Sequence, residues 1–462
     1  MNKYTLILCF LIIVACPKID PPDDKKEIEL TQSSLSLSLE SQWTTSLKIK
    51  ATVLDTADTF TFELLRDDST IGIYTIENTP RDTILTDGPL TPSTEYQYHA
   101  FVLDGDIRTE YSDTLSAMTM DTTSHNFTWE IDTLGGYGSY LNDVWIVNEN
   151  DIWVVGNIVT DSMEYNMAHW DGVEWELMGL VSQDEQIGDP GIDPIIENYS
   201  SNIVDLDAIH YFSDDDIWVC SGFPKHWDGN NWTLYHLQNM GFDGVSINTM
   251  WGTSSSNLYF TGANGSIVHY DGTEFVKMES GTDLNLVDIS GTSDGEHIFV
   301  TGFNNEGALG GHSIALSYNG EWTTLREEDH FYPVNGSDEF GLISAVWCTT
   351  DTVYFMTYSG LRTYSIITNE ERLKINRYSM GASDRHIIKF IGNSLNDIIF
   401  VGSFGHLIHF NGLSWSQMFG LNIQYPNGQL SIWGMDYNEN LVVAVGDLFD
   451  YEKAVIVKGK RE

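Results

Sequence analysis

Two kinds of hydrophobic pattern divide the chain. In the first, Leu35, Leu37 and Leu39 alternate with serine, Leu47, Ile49 and Ala51 alternate with lysine and threonine, and residues 59–64 (TFTFEL) continue the alternation. A period of two marks strands with one face turned to a core, and about seven such runs across residues 30–120 predict a β-sandwich. In the second, a longer unit repeats. It reads apolar-Trp-Gly, a polar turn, Asp/Asn-apolar-aromatic-Val-x-Gly, a loop, then His-aromatic-Asp-Gly-x-x-Trp. Its middle element appears at Asp151–Gly156, Asp216–Gly222, Asn257–Gly262, Glu296–Gly302, Asp397–Gly402 and Asn440–Gly446, with a degenerate copy at Asp351–Met356. The closing glycines recur at a base period of about 40–45 residues, which with strand-type patterning is the arithmetic of a β-propeller.

The third element ends in His169-Trp170-Asp171-Gly172, His226-Trp227-Asp228-Gly229, His269-Tyr270-Asp271-Gly272, Tyr318-Asn319-Gly320 and His409-Phe410-Asn411-Gly412. Asp-Gly and Asn-Gly supply the positive φ of a tight hairpin turn. The last repeat has three strands, and its missing outer strand is matched by residues 127–131 (FTWEI), which precede the first inner strand. Pairing the two within one blade removes the open sheet edges. The expected fold is all-β, a sandwich over 30–120 and a seven-bladed propeller over 125–462 closed by an N-terminal outer strand. The repeat resembles bacterial extracellular propellers of the D-V-W-A-V-G…H-x-D-G-x-x-W type. Leu90 to Ala100 (LTPSTEYQYHA) resembles the segment of fibronectin type III domains that leads into a late strand. There Tyr96 stands as the corner tyrosine, while the early strand from Lys48 to Leu54 lacks the family's Trp.

The N-terminus carries an address. Met1 to Lys3 is basic, residues 4–15 are almost wholly apolar, and about 12 such residues are too few for a spanning helix. The run ends Ile13-Val14-Ala15-Cys16, which resembles a bacterial lipoprotein signal. That resemblance implies removal of 1–15, a lipid on Cys16, a Pro-rich acidic tether over 16–29, and a place at the outer membrane or cell surface.

Charge narrows the partners. The 67 Asp and Glu against 22 Lys and Arg give −45, a surface that repels phosphate backbones and rules against nucleic acid. Cys220 and Cys348 fall in strands of different blades and are expected to be buried free thiols. The repeated histidines 169, 226, 269 and 409 sit a blade apart, too far to share one ion, and are expected to be satisfied by turn backbone. The insertions Gly179 to Asn202, Arg326 to Phe340, Phe419 to Gln429, Asn157 to Asn166, Asn304 to Ser313 and Asp447 to Glu452 all fall on one predicted face. Their acids and aromatics make candidate ligand contacts of Glu185, Tyr199, Glu328, Asp329, Phe331, Tyr332, Tyr425, Asp450 and Tyr451. Aromatic platforms with carboxylates suit a glycan or protein ligand, with calcium as an optional aid and no cofactor required. No nucleophile or metalloprotease motif is present, so the reading is a lipid-anchored binding protein rather than an enzyme. Its alternatives are an outer-membrane assembly scaffold and, further off, a propeller glycosidase or lyase.

Overall fold

The computed structural model describes residues 31–32, 35–55, 58–78, 81–180, 203–305, 310–332, 340–368, 371–380, 387–402, 405–417, 430–448 and 452–462. They form two compact units, in the main up to Thr119 and from Met120 onward.

The first unit holds two sheets. Leu35–Gln42, Leu47–Val53 and Arg81–Asp87 form one; Ser69–Glu77, Thr59–Arg66, Glu95–Asp104 and Ile107–Tyr111 lie in that order in the other, with Leu115–Met118 also paired to Glu95–Asp104. The alternation read from sequence is the burial pattern: Leu47, Ile49, Ala51 and Val53 are buried while the residues between them are half-buried. Tyr96 packs at the edge of this core. Tyr98, two residues on, is fully buried, and its hydroxyl donates to Asp87 at 2.6 Å, where Arg66 also binds both carboxylate oxygens at 2.9 Å. A buried hydroxyl and carboxylate satisfy each other there.

The second unit contains seven four-stranded antiparallel sheets, the blades of a propeller. Their inner strands are Tyr140–Asn148, Ala208–Ser213, Ser246–Ser254, Leu286–Gly291, Ile343–Cys348, Ile387–Ser394 and Leu430–Asn438, in blades 1 to 7. In blade 7 the outer strand is Phe127–Leu134, paired antiparallel to Lys453–Arg461 from Phe127 opposite Arg461 to Leu134 opposite Ala454. Strands in the middle of a blade are covered on both faces by neighbouring blades, which explains their continuous apolar runs: Asp397–Gly402 and Thr352–Thr357 are buried at every position.

The cores lie between blades. Val155, Met167, Ile209 and Val219 join blades 1 and 2, and Trp218, Cys220, Ile247 and Phe260 join blades 2 and 3. Tyr259 with Val300 and Phe299 with Phe355 carry the series through blades 4 and 5. Tyr354 with Phe400 and Ile399 with Val442 extend it to blade 7, and Val144 with Val443 and Ile456 joins blade 7 back to blade 1. Each blade thus buries both faces against neighbours. Cys220 and Cys348 are buried free thiols.

The turn chemistry follows the repeat. Gly172, Gly229, Gly272, Gly320 and Gly412 have φ of 91°, 88°, 92°, 84° and 86°. The preceding carboxylate or amide accepts two backbone N–H groups across the turn, as Asp171 does from Val173 and Glu174 at 2.8 Å each.

Two sequence expectations change. The repeated histidines bond side chains rather than turn backbone. His169, His226, His269 and His409 each place Nε2 at 2.8–3.0 Å from the Asp or Asn that opens the second strand of the same blade, namely Asp151, Asp216, Asn257 and Asp397. The imidazole also stacks on the aromatic two residues further along: Trp153 at 4.1 Å, Trp218 at 4.2 Å and Tyr259 at 4.3 Å. The Asp and the His of the repeat are therefore one interaction seen twice. The second change is in blade 7. Trp433 precedes a glycine as Trp251 does, yet Ile432 pairs with Gly446 just as Ile247 pairs with Gly262. Trp433 thus occupies the bulge, 37% exposed, with Nε1 donating to Asp447 at 2.6 Å.

Candidate functional site

An inner-strand bulge recurs at one register position. The shift falls between Leu141 and Asp143, Ile247 and Thr249, Leu286 and Asp288, Ile343 and Ala345, Ile387 and Lys389, and Ile432 and Gly434. Bulges re-aim the side chains next to them. Here the residue after the bulge comes to the propeller axis, so Asp143, Asp288 and Lys389 converge from blades 1, 4 and 6.

Lys389 Nζ lies 3.3 Å from Asp143 Oδ1. The acids are also fastened to the neighbouring blade. Asp143 accepts from the Ile209 N–H at 3.1 Å, Asp288 from Val346 at 2.9 Å, and Asp436, two positions further along blade 7, from Ile146 at 2.7 Å. Each carboxylate therefore caps a backbone donor across a blade boundary, which is a structural task in its own right. Burial pushes Asp288 and Asp436 up to about 6. Burial alone would lower the Lys389 ammonium, but Asp143 and Asp288 outweigh it and hold the pKa above its usual value.

These groups border a cavity of about 500 Å³ lined by the inner strands of all seven blades. Its wall carries Trp145, His210, Trp251 and Trp347, with Phe212, Ser290 and Cys348. His210 is buried, and loss of water lowers its pKa to about 4, so its ring is neutral. The lining runs from the level of Asp143, Asp288 and Lys389 to Phe212, Thr253 and Cys348 near the strand ends. The cavity thus occupies the half of the channel beside the tight inner-second turns, away from the long insertions.

Repetition explains the tryptophans. The benzo end of Trp251 lies over Gly291 of the next blade, where an added Cβ would come within 2.2 Å of the ring, and Trp347 lies over Gly392 in the same way at 3.0 Å. Gly291 and Gly392 stand in the register position that Gly252 fills in the repeat's Trp-Gly pair, and each makes room for the tryptophan of the preceding blade. Gly291→Ala is expected to displace Trp251 and cost about 1–3 kcal/mol. Urea unfolding measures the loss, and an unchanged midpoint would contradict this packing.

The raised acids predict a pH dependence. A carboxyl whose folded pKa lies above its unfolded value of ~3.9 stabilises the fold below that value and loses the contribution as pH rises through about 6. Asp288→Asn is therefore expected to gain stability relative to the parent between pH 4 and pH 7, by ~1–2 kcal/mol. Parallel urea titrations at the two pH values test this.

The loop residues singled out from sequence fare unevenly. Glu185, Tyr199, Tyr425, Asp450 and Tyr451 lie outside the described residues, as does Cys16. Glu328 and Phe331 are turned inward. Glu328 is buried, takes Arg326 Nε at 2.6 Å and accepts the Phe340 N–H at 3.1 Å; Phe331 packs edge-on to Phe303 at 5.8 Å. Both hold their own segment in place. Asp329 and Tyr332 are exposed, with Tyr332 edge-on to Tyr358 at 4.9 Å and Arg377 over the Tyr358 ring at 3.9 Å. Parts of the supposed loops are extended hairpins: Asp151–Val159 and Glu164–Trp170 pair beyond the expected turn, as do Ile298–Asn305 and Gly311–Tyr318. Among the described residues no group of three or more His, Cys, Asp or Glu is placed to hold a metal ion. The axial cluster escaped the sequence reading, although its signal is present. It is the column two residues before the repeat's tryptophan, as in Asp143-Val144-Trp145.

No protein-family profile and no curated protein matches the sequence. Among solved structures the chain is similar to YCF48 bound to D1 peptide, at 11% identity and a TM-score of 0.49, covering 74% of this chain and 97% of that one. It is similar also to the extracellular domain of the putative one component system BT4673 from B. thetaiotaomicron, at 12% identity and a TM-score of 0.46, covering 71% of this chain and 40% of that one. A third is the Cps50 (Swd1) β-propeller domain of Myceliophteria thermophila, at 9% identity and a TM-score of 0.43, covering 70% and 98%. These likenesses carry no argument about function, and it is the seven four-stranded blades themselves that make the chain a β-propeller protein.

Proposed function

We propose that this is a cell-envelope binding protein, anchored by lipid on Cys16, whose propeller takes a ligand group in its axial cavity. In this reading the fibronectin type III-like sandwich and the acidic tether are spacers that hold the propeller away from the membrane. The observation that carries it is the cavity itself, about 500 Å³ with three tryptophans and ionised groups on its wall. Cavities of this size with aromatic walls and a few placed polar groups are where ligands bind. The exposed Asp329 and Tyr332 belong to the opposite face and offer a second contact surface for a large partner.

The test is an array of glycans and peptides probed with the full chain in detergent, then with Trp251→Ala and Trp347→Ala. Binding that either substitution weakens about tenfold or more supports the cavity. Binding that survives both, and is lost on Tyr332→Ala, overturns it in favour of the insertion face.

A second reading, a glycosidase or lyase, draws on Asp288 and Asp436, two carboxyls raised to about 6 that border one cavity. It requires turnover of an aryl glycoside or uronide, abolished by Asp288→Asn and by Asp436→Asn separately. The binding reading expects none.

A further inference from the structure

The charges around the cavity are unequal, and their arrangement indicates what enters it. Among the described lining residues Asp143, Asp288 and Asp436 are the carboxylates and Lys389 is the one fixed cation. His210, the imidazole on the wall, is neutral. With all three acids ionised the site carries two uncompensated negative charges. Trp145, Trp251 and Trp347 are each only part-buried and line the same space, and indole is the strongest aromatic partner for a cation. An anionic ligand meets repulsion from three sides, and the −45 charge of the chain draws cations toward it from a distance.

We propose that the axial cavity binds an organic cation, the ammonium or guanidinium group of a basic side chain on a partner protein. The inference rests on the cavity being the binding site and adds the chemistry of its occupant. The basic group lies against the tryptophans that line the cavity and directs its donors at Asp143, Asp288 and Asp436, whose oxygens take Lys389 or backbone N–H groups and can each accept a second hydrogen bond. Lys389 occupies part of the same negative field, so it competes with the ligand instead of contacting it favourably.

That competition gives the test its sign. Isothermal titration of the full chain in detergent uses the peptide acetyl-Gly-Ser-Lys-Ser-Gly-amide, its arginine and norleucine counterparts, n-butylammonium and cellobiose. The lysine and arginine peptides are expected to bind at least about tenfold more tightly than the norleucine peptide, and to weaken several-fold as salt rises from ~50 to ~500 mM. Lys389→Met is expected to tighten the basic peptides about threefold to tenfold, because it removes the resident positive charge. Asp436→Asn keeps one acceptor for the Ile146 N–H, gives up the one that takes the Tyr437 N–H, and loses the charge; in a protein shown folded by urea titration it is expected to weaken them by a similar factor, and stands as the decisive variant if Lys389→Met does not fold. Equal binding of lysine and norleucine peptides overturns the proposal, as does weakening by Lys389→Met in a folded protein. Tight n-butylammonium binding, equal to the peptide's, overturns the protein as the source of the cation. Cellobiose binding that depends on Trp251, without binding of the basic peptides, overturns the cation while leaving the cavity as the site. Absence of binding by every probe, together with array binding indifferent to Trp251 and Trp347, removes both readings.

Discussion

Asp397→Ala is expected to lose about 3–5 kcal/mol of stability, the cost of breaking a buried charged network from one side. Asp397 is 2% exposed. It receives His409 Nε2 at 2.9 Å, the Tyr437 hydroxyl at 2.8 Å, Asn393 Nδ2 at 3.1 Å and Arg461 Nη1 at 3.0 Å. Four donors from blades 6 and 7 meet on one carboxylate, and Arg461 pairs with Phe127 at the end of the strand that completes blade 7. Removal of the carboxylate strands the Arg461 charge and the Tyr437 hydroxyl in the blade boundary, so urea unfolding should show a lower midpoint. A change below ~1 kcal/mol would contradict the network.

Acid should act on the same place. Burial alone would raise the Asp397 carboxyl, but the bonds from His409, Arg461, Asn393 and Tyr437 outweigh it and hold it far below the usual range. The stability it contributes is present above the unfolded value of ~3.9 and is lost as pH falls. His409 follows the same sign. Burial lowers its pKa, partly offset by Asp397, so the fold favours the neutral ring and loses stability as pH drops below ~6.5. With Nε2 donating to Asp397, His409 Nδ1 accepts from His125 Nδ1 at 2.7 Å, which two protonated rings cannot do. Acid sensitivity below neutral pH should therefore be reduced by His125→Asn, measured by the same titrations.

Lys389→Met is the second large effect. The ammonium offsets Asp143 directly and Asp288 through space, and its loss leaves three carboxylates facing one cavity with no cation among the described lining residues. About a third of the Lys389 side chain reaches cavity water, so the loss is expected near ~1–3 kcal/mol instead of the full cost for a sealed pair. It should be larger at pH 7 than at pH 5, because Asp288 and Asp436 take up protons near pH 6 and each sheds its repulsion with Asp143. Equal losses at both pH values would contradict the coupling.

The architecture was legible because its determinants are local and repeated. Asp-Gly at 171–172 and 271–272 forces a turn wherever it stands, and a three-stranded last repeat with an unpaired FTWEI segment leaves one way to complete the blade. The axial site was not, because its residues differ from blade to blade: Asp143, Thr249, Asp288, Ala345 and Lys389 occupy one register position, and a consensus averages them away. The Asp151–His169 contact was hidden for another reason. Eighteen residues separate two polar side chains that the second and third strands bring side by side, and neither motif alone names its partner. Glu328 and Phe331 looked like ligand contacts because an acid beside an aromatic reads alike whether it faces solvent or is folded under its own segment.

The most direct test of the axial cavity uses a photoreactive benzoyl-phenylalanine on intact cells, placed at Thr253 or at Tyr332. Thr253 is exposed where the cavity lining meets the tight turns, and Tyr332 is exposed on the insertion face. A ligand seated at the axis crosslinks from position 253, and Trp251→Ala in the same chain removes the crosslink. Capture from position 332 alone, unaffected by Trp251→Ala, would place recognition on the insertion face and contradict the axial site.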